Sequence, residues 1–191
     1  QVATRKINLL LNAGAEITVI SPDICSEVND LKDKNKITHL HRPYSKDDIP
    51  GNNLVIAATD NREINESIAT LAEKHNIPCN VVDNPDAGSF IMPSIINREP
   101  VQIAVSTGGA SPVLARLIRT NLESCTPSAY GKLAALVENY RESVKQSFPK
   151  VEERRKFWES ILEGPVAEHV FAGRNNDARE LLEDARQFAQ R

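Results

Sequence analysis

An aspartate directly after a short apolar segment is the first candidate for chemistry in this sequence. Asp83 ends the run Asn-Val-Val-Asp at residues 80–83. In a parallel sheet, an acid at the carboxyl end of a strand faces the crevice where cofactor and substrate meet. It could act as a general base if partial desolvation raised its pKa toward neutrality. The alternative is a turn over residues 83–86, in which aspartate makes local hydrogen bonds.

Two further loops follow predicted strands and contain polar groups that a nucleotide could use. They are Ser21, Pro22 and Asp23, and Ala58, Thr59 and Asp60. At the first of these places, dinucleotide folds usually have an acid that hydrogen-bonds to the ribose. Asp23 comes later than that acid usually does, so it could instead be the N-cap of the following helix.

Three arginines lie near a turn of small residues. Arg116 and Arg119 are one helical turn apart and share a face of a predicted helix, and Arg98 precedes the turn. Guanidinium groups pair with carboxylates in a bidentate manner, so these residues could bind an acidic ligand. The alternative is an ordinary solvated helix surface.

The histidines and cysteines give weaker signals. His39 and His41 alternate along a strand and could ligate a metal from one face, but no cysteine or acidic cluster lies nearby in the sequence. We therefore favour a partly exposed edge strand and predict no metal site. Cys25, Cys79 and Cys125 are far apart and form no CxxC motif, which is typical of a reducing compartment and indicates the cytoplasm.

Composition argues against several classes of protein. The 191 residues are 40% hydrophobic and 26% charged, which is enough for a folded core. The net charge of −3 and the lack of a basic block argue against a nucleic-acid partner, although an arginine cluster could bind an anionic small molecule. No apolar run approaches the roughly 18 residues of a membrane span, so no membrane partner is expected.

The elements that position these residues alternate between helix and strand up to residue 83. Helical spacing is found at Ala3, Ile7, Leu10 and Leu11, at Ile24, Val28 and Leu31, and at Ile64, Ile68, Leu71 and Ala72; apolar strands lie at residues 16–20, 37–41, 54–59 and 78–83. This alternation predicts an α/β fold with a parallel sheet covered by helices. A Rossmann-type sheet also needs a first strand and a glycine-rich turn before its first helix. We therefore expect the numbering to start about 20 residues late.

The second half of the chain has a different pattern. Strand-like runs at residues 89–97 and 101–107 predict a hairpin. Ser111 and Pro112 predict the start of a helix that reaches Ser124. Further helices are predicted at residues 127–148, 151–162, 165–171 and 176–189.

Three segments together resemble a known family. They are AATDNREIN, CNVVDNPDAGSFIMPSIINREPVQIAVSTGGASPVLARLIR and ERRKFWE. These segments are similar to the precorrin-2 dehydrogenase and sirohydrochlorin ferrochelatase module of siroheme synthase, and the resemblance extends over essentially the whole chain. It implies an NAD-binding Rossmann domain at residues 1–92, a dimerisation region at 93–126 and a helical domain at 127–191, assembled as a homodimer.

The resemblance also implies two reactions. One is the NAD-dependent oxidation of precorrin-2 to sirohydrochlorin, and the other is the insertion of Fe(II), as a substrate, into that tetrapyrrole. Asp83 would be the general base. The family's glycine motif would lie just before Gln1, which leaves Gln1 and Val2 as cofactor contacts together with the two loops after the strands. The tetrapyrrole carries many carboxylates, which suits Arg98, Arg116 and Arg119.

The turn of small residues takes its expected role from the same resemblance. Ser106, Thr107, Gly108 and Gly109 are expected to present backbone amides to the carboxylates of the tetrapyrrole, together with the N-terminus of the helix that follows Ser111. The alternative is a packing turn at the dimer interface.

Other functions stay open. The chain could be a precorrin-2 dehydrogenase without chelatase activity, or, outside enzymes, an NAD-responsive dimeric regulatory module. In trifunctional relatives a uroporphyrinogen methyltransferase domain follows about where Arg191 ends. We therefore expect this chain to be a fragment of such a longer protein.

Overall fold

A computed structural model describes residues 2–82 and 84–188 of the chain. The chain divides into two compact units, residues 1–92 and 93–191. In the first unit the elements are α1 (Val2–Asn12), β1 (Thr18–Ile20), α2 (Ser26–Asp33), β2 (Thr38–Leu40), β3 (Val55–Ala57), α3 (Arg62–Lys74) and β4 (Cys79–Val81). Two short 3-10 helices, Lys46–Asp48 and Pro85–Ala87, were not predicted.

All strand pairing in the described part of the first unit is parallel. β1 pairs with β2, with Thr18 opposite Thr38, and β3 pairs with β4, with Val55 opposite Cys79. No strand among the described residues joins these two pairs, so the predicted sheet is present as two separate pairs. In each pair the carboxyl ends of the two strands lie at the same edge. The loops after β3 and β4, which both contain candidate residues, therefore start side by side.

The helix α3 forms for reasons that are visible in its sequence. The Asn61 side chain accepts a hydrogen bond from the Ile64 amide over 3.1 Å and caps the helix. Its buried face packs with β3 and β4 in a core that consists of Ile49, Ala57, Ile68, Ala69, Ala72, Ile77, Cys79 and Val81. A smaller cluster of Ile7, Val28 and Ile37 lies under α1 and α2. Helix α3 is thus fixed against the two strands whose ends carry candidate residues.

The second unit is a hairpin followed by helices, as predicted. Its elements are β5 (Ser94–Arg98), β6 (Val101–Val105), α4 (Pro112–Ser124), α5 (Ala129–Ser147), α6 (Val151–Leu162), α7 (Pro165–Phe171) and α8 (Asn175–Phe188). β5 and β6 are antiparallel, with Ser94 opposite Val105. The Ser111 side chain accepts a hydrogen bond from the Leu114 amide over 3.1 Å, which confirms the predicted start of α4.

The last four helices share one apolar core. It consists of Leu133, Leu136, Val144, Phe157, Ile161, Val166, Ala167, Val170, Ala178 and Leu182. Gly131 on α5 lies so close to the hairpin that a Cβ atom there would come within 2.5 Å of the Glu99 carbonyl oxygen and closer still to that of Arg98. This glycine therefore permits α5 to contact the β5–β6 turn. None of the described helices is long and apolar enough to cross a membrane.

Candidate functional site

The carboxyl ends of β3 and β4 lie together in the first unit. The Val82 amide donates a hydrogen bond of 2.9 Å to the Ala57 carbonyl, which continues the ladder one residue beyond the strands. Ala58 follows Ala57, and the predicted general base Asp83 follows Val82 in the chain. Asp83 itself lies outside the described residues.

A buried asparagine holds the loop after β3. Asn65 on α3 is only 6% exposed. Its Oδ1 accepts hydrogen bonds from the Thr59 amide at 3.1 Å and from the Thr59 hydroxyl at 2.8 Å, and its Nδ2 donates to the Thr59 carbonyl at 2.9 Å. The amide and carbonyl of Thr59, a predicted cofactor contact, are therefore both engaged by this side chain. Its hydroxyl lies within hydrogen-bond distance of Asn65 Oδ1 at 2.8 Å and of the Asn61 carbonyl at 3.0 Å. The carboxylate of its neighbour Asp60 is exposed and has no partner within the described ranges.

A carboxylate lies beside the loop that follows β4. Glu66 Oε1 accepts hydrogen bonds from Arg62 Nε at 2.7 Å and from Asn84 Nδ2 at 3.5 Å. Asn84 is the residue after Asp83, so α3 contacts both loops at this edge of the strand pair. Neither Asn65 nor Glu66 was predicted from the sequence to be a site residue.

In the loop after β1, Ser21 is hydrogen-bonded to its neighbours, whereas the Asp23 carboxylate has no partner among the described residues. The Ser21 amide donates to the Leu40 carbonyl at 3.3 Å, its carbonyl lies 2.9 Å from His39 Nε2, and its hydroxyl donates to the Asp23 carbonyl. Pro22 lies between them and is exposed. The Asp23 carboxylate is exposed and makes no ion pair or hydrogen bond with any residue in 2–82 or 84–188. It is therefore free to accept hydrogen bonds from a ligand.

The two free acids fit a nucleotide cofactor. Asp23 and Asp60 follow β1 and β3, and exposed carboxylates at such strand ends can accept hydrogen bonds from ribose hydroxyls. Val2, which begins α1, is 45% exposed, and Gln1 lies outside the described residues. The donor and acceptor chemistry of these loops is thus compatible with NAD.

Metal-ligating side chains are dispersed. The rings of His39 and His41 are 5.7 Å apart and perpendicular, but His39 is engaged with Ser21. Over residues 2–82 and 84–188, no group of three or more His, Cys, Asp or Glu side chains could hold a metal ion.

In the second unit, two of the three predicted substrate arginines share one carboxylate. Glu123 Oε1 lies 3.3 Å from Arg98 Nη2, and its Oε2 lies 2.7 Å from Arg119 Nη1. Arg98 Nε also donates to the Thr126 carbonyl at 2.8 Å. Arg116 is exposed and has no charged partner in the described part of the chain. Arg98 and Arg119 are thus ion-paired with Glu123, whereas Arg116 has no ionic partner among the described residues.

The turn of small residues is closed by its own side chains. Thr107 Oγ1 accepts from the Ser111 amide and donates to the Ser111 carbonyl, both at 3.1 Å, and the Gly108 amide donates to Ser106 Oγ at 3.2 Å. Gly108 and Gly109 have φ angles of 61° and 88°, which favour glycine. Open space surrounds the place of a Cβ at Gly108. The backbone conformation therefore explains why residue 108 is a glycine. No described residue comes close enough to exclude a side chain there.

Helical periodicity could have identified Asn65. It shares a face with Ala69 and Ala72, at i+4 and i+7, so the pattern that predicts this face as buried also predicts a buried amide. A buried polar group must find partners, and the loop after β3 is next to the start of α3. Glu66 and Glu123 carry no comparable signal, because each lies among other charged or polar residues.

Three family models match the chain. The model described as putative NAD(P)-binding matches residues 1–94, that of the sirohaem biosynthesis protein central region matches 98–124, and that of the sirohaem synthase dimerisation region matches 129–185. A solved structure of a precorrin-2 dehydrogenase, SirC, is similar with a TM-score of 0.76 at 20% sequence identity, covering 96% of this chain and 90% of that one. This likeness confirms the predicted Rossmann-type fold.

Curated relatives are more similar in sequence. The siroheme synthase of Thioalkalivibrio sulfidiphilus is 52% identical over 96% of this chain and 38% of its own length. That of Methylococcus capsulatus is 49% identical over the whole chain and 40% of its own length. The chain thus spans about two fifths of these relatives. The matches along its length show that this chain belongs to the family of the siroheme synthase N-terminal module.

Proposed function

We propose that this chain oxidises precorrin-2 to sirohydrochlorin with NAD as the hydride acceptor. The observation that carries this proposal is the pair of free carboxylates, Asp23 and Asp60, after parallel strands of a unit that matches a putative NAD(P)-binding model. Both can accept hydrogen bonds from ribose hydroxyls. An acid at Asp23 also disfavours a 2′-phosphate, because like charges repel, and so favours NAD over NADP.

Asp83 is the general base in this proposal. Oxidation of the macrocycle transfers a hydride to bound NAD and a proton to a base, and a carboxylate at the carboxyl end of β4 suits that role. The chain position of Asp83, directly after the Val82 amide that pairs with Ala57, supports it.

The test of the base is the Asp83→Asn variant of the natural full-length protein. NAD binding, followed by titration calorimetry, is expected to be unchanged, while sirohydrochlorin formation from precorrin-2 falls at least ~100-fold. The exposed Asp86→Asn, three residues on, serves as the control and is expected to keep full activity. Full activity of Asp83→Asn would refute the assignment.

We further propose that the same carboxylate serves the insertion of Fe(II). Metal insertion requires two pyrrole nitrogens to lose protons, so a base near the macrocycle can act in both reactions. Iron is then a substrate. The alternative is dehydrogenation alone. Anaerobic incubation of sirohydrochlorin with Fe(II), followed by the visible spectrum, separates the two: no acceleration over the uncatalysed rate supports the dehydrogenase alone.

Substrate binding is assigned to the second unit. Arg98 and Arg119 share the single charge of Glu123, which leaves one net positive charge, and Arg116 adds a second. This net positive charge can pair with the carboxylates of a tetrapyrrole. The turn of Ser106, Thr107, Gly108 and Gly109 is proposed to face the same groups and to offer them the Thr107 and Gly109 amides, since the Gly108 amide already donates to Ser106 Oγ.

The active form is proposed to be a homodimer in which helix α4 contacts a second copy of the chain. Five apolar side chains on one side of α4 are exposed: Val113, Leu114, Leu117, Ile118 and Leu122. Val113 and Leu117, which lie almost opposite the buried Ala115 around the helix, are the most exposed of the five, so this face is left uncovered by the described residues. The match of residues 129–185 to a dimerisation region supports a homodimer, and α4 ends just before the matched residues.

The dimer is tested with Leu117→Lys. Because Leu117 is 54% exposed, the charge costs the monomer little, but it would be buried in the dimer. Sedimentation equilibrium is expected to show a dimer for the wild type and a monomer for the variant. The control is an equivalent change at Ile64 on α3, which is 39% exposed and lies outside the matched dimerisation region, and dissociation by both variants, or by neither, argues against α4. We place the dimer in the cytoplasm, which the free thiols of Cys25, Cys79 and Cys125 support.

A further inference from the structure

We propose that Asn65 is a positioning residue that fixes the loop between β3 and α3 in the conformation that binds NAD. The inference rests on the proposed function. Asn65 is buried, and its side chain makes three hydrogen bonds to one residue, Thr59. It therefore acts on the loop that the proposal assigns to the cofactor, without itself facing solvent.

The bonding of Asn65 leaves Thr59 no free backbone group. The Thr59 amide and carbonyl both bond to the Asn65 carboxamide, in the manner of two strands exchanging a pair of hydrogen bonds. The Thr59 hydroxyl completes the pairing at Asn65 Oδ1. In this proposal Thr59 holds the backbone of the loop in place. Its neighbours, Ala58 and Asp60, make the direct polar contacts with the cofactor.

The same network continues into the start of α3. Thr59 Oγ1 accepts a hydrogen bond from the Asn61 amide at 3.2 Å, and Asn61 in turn caps α3 at the Ile64 amide. The segment from Thr59 to Asn61 is therefore attached to the helix at both of its ends. Attachment at both ends lowers the entropy that the loop must lose when a ligand binds, which is why it favours affinity.

Neither an acid nor an apolar side chain can reproduce the pairing that Asn65 makes. An aspartate in its place would keep the acceptor but would turn a second acceptor toward the Thr59 carbonyl, where the amide now donates. A leucine has a similar volume but would leave the Thr59 amide and carbonyl without partners. Both changes release the loop from α3, while the apolar contacts of Ile68, Ala69 and Ala72 stay in place.

The experiment compares Asn65→Ala with Ile68→Val in the natural full-length protein. Ile68 is buried on the same helix and is part of its apolar core, so its truncation lowers stability without changing a bond to Thr59. Titration calorimetry is expected to show that Asn65→Ala raises the dissociation constant of NAD about tenfold and that Ile68→Val leaves it unchanged. Thr59→Val keeps two of the three bonds and should have a smaller effect.

A second measurement needs no ligand. Exchange of the Thr59 amide hydrogen, followed by NMR, is expected to accelerate in Asn65→Ala and to stay slow in Ile68→Val, because Asn65 Oδ1 is its acceptor. If Asn65→Ala does not fold, Asn65→Leu, which has a similar volume and no acceptor for the Thr59 amide, takes its place in both measurements.

The outcomes separate this inference from the proposed function. A wild-type protein that does not bind NAD refutes the proposed function and this inference with it. A wild type that binds NAD, with an Asn65 variant that binds equally well, refutes the inference alone. Equal losses in Asn65→Ala and Ile68→Val would show that Asn65 acts only through stability, and would also overturn it.

Discussion

Arg98 at the end of β5 and Glu123 on α4 form an ion pair of 3.3 Å, which ties the hairpin to the helix. Glu123 uses its second oxygen for Arg119 at 2.7 Å. One carboxylate thus orients two guanidinium groups. Because an ion-paired arginine holds its direction before a ligand arrives, this pairing would lower the entropic cost of binding the acidic substrate that we propose. It also gives Arg98 and Arg119 a part in stability that Arg116 lacks.

Arg119 is ion-paired with Glu123, whereas Arg116 has no ionic partner among the described residues, so we expect Arg116→Gln and Arg119→Gln to have different effects. Each should raise the KM for precorrin-2 about tenfold, the effect of losing one charge-assisted hydrogen bond. Only Arg119→Gln should also lower the free energy of unfolding, and by less than about 1 kcal/mol, because Glu123 is 38% exposed and solvent screens the pair. Steady-state kinetics and urea unfolding measure the two effects. A wild-type KM in Arg116→Gln would remove Arg116 from the substrate site.

A second prediction concerns Gly131 on α5. Replacing a glycine inside a helix by alanine normally stabilises it by about 1 kcal/mol. Here the new Cβ would meet the backbone carbonyl oxygens of Arg98 and Glu99, neither of which can move without displacing the hairpin turn. We expect the clash to prevail and Gly131→Ala to lower the free energy of unfolding by about 2 kcal/mol. Urea unfolding measures it, with exposed Lys132→Ala as the control. Stabilisation by Gly131→Ala would show that α5 does not contact the turn so closely.

Local signals explain why the elements were predictable. The Ser111-Pro112 pair before α4 marks a helix start through short-range backbone chemistry, and it acts as the sequence predicts. The hairpin likewise follows from two strand-like runs that are close in sequence. Such features depend on neighbours within a few residues, so the sequence contains them directly.

The parts that were not predicted depend on long-range contacts. Glu123 meets Arg98 across 25 positions, and Asn84 meets Glu66 across 18. Whether a charged residue points to solvent or to another element is decided by the tertiary fold, and the sequence pattern of either glutamate is that of an ordinary exposed helix face. The sequence therefore predicted the arginines as a group but could not distinguish the ion-paired Arg98 and Arg119 from Arg116.

A third prediction concerns the reactivity of the thiols. Cys25 is the N-cap residue of α2, and the nearby Val28 amide, together with the Thr4 hydroxyl 3.6 Å from its sulfur, lowers the pKa of its thiol. Burial raises the pKa of the Cys79 thiol. Since the thiolate is the reactive form, iodoacetamide at pH 7 should alkylate Cys25 several-fold faster than the exposed Cys125, and Cys79 slowest. Peptide mass spectrometry measures the rates, and Thr4→Val should slow Cys25 alone. Equal rates at Cys25 and Cys125 would contradict the role of the α2 N-terminus.

The last prediction concerns stability in acid. The Arg42 guanidinium holds the pKa of the Asp48 carboxyl below its usual range through hydrogen bonds of 2.6 and 2.8 Å, and the Ser45 amide adds a further one. A carboxyl whose pKa is lower in the folded state stabilises the fold fully above its unfolded pKa of about 3.9, and this contribution disappears as the pH falls through the folded pKa.

Asp48→Asn should therefore lower the free energy of unfolding by about 1 kcal/mol at pH 7, a value limited by the 42% exposure of Arg42. The difference from the wild type should shrink below about pH 4 and vanish once Asp48 is protonated in the folded wild type too. Urea unfolding between pH 2 and pH 7, about the range of carboxyl titration, measures it. Asp47→Asn, at an exposed neighbour without an ion pair among the described residues, is the control and should show no such dependence. Only a charge effect disappears on protonation. If the free energies of unfolding of Asp48→Asn and wild type differ by the same amount at every pH, the charge of Asp48 does not stabilise the loop before β3.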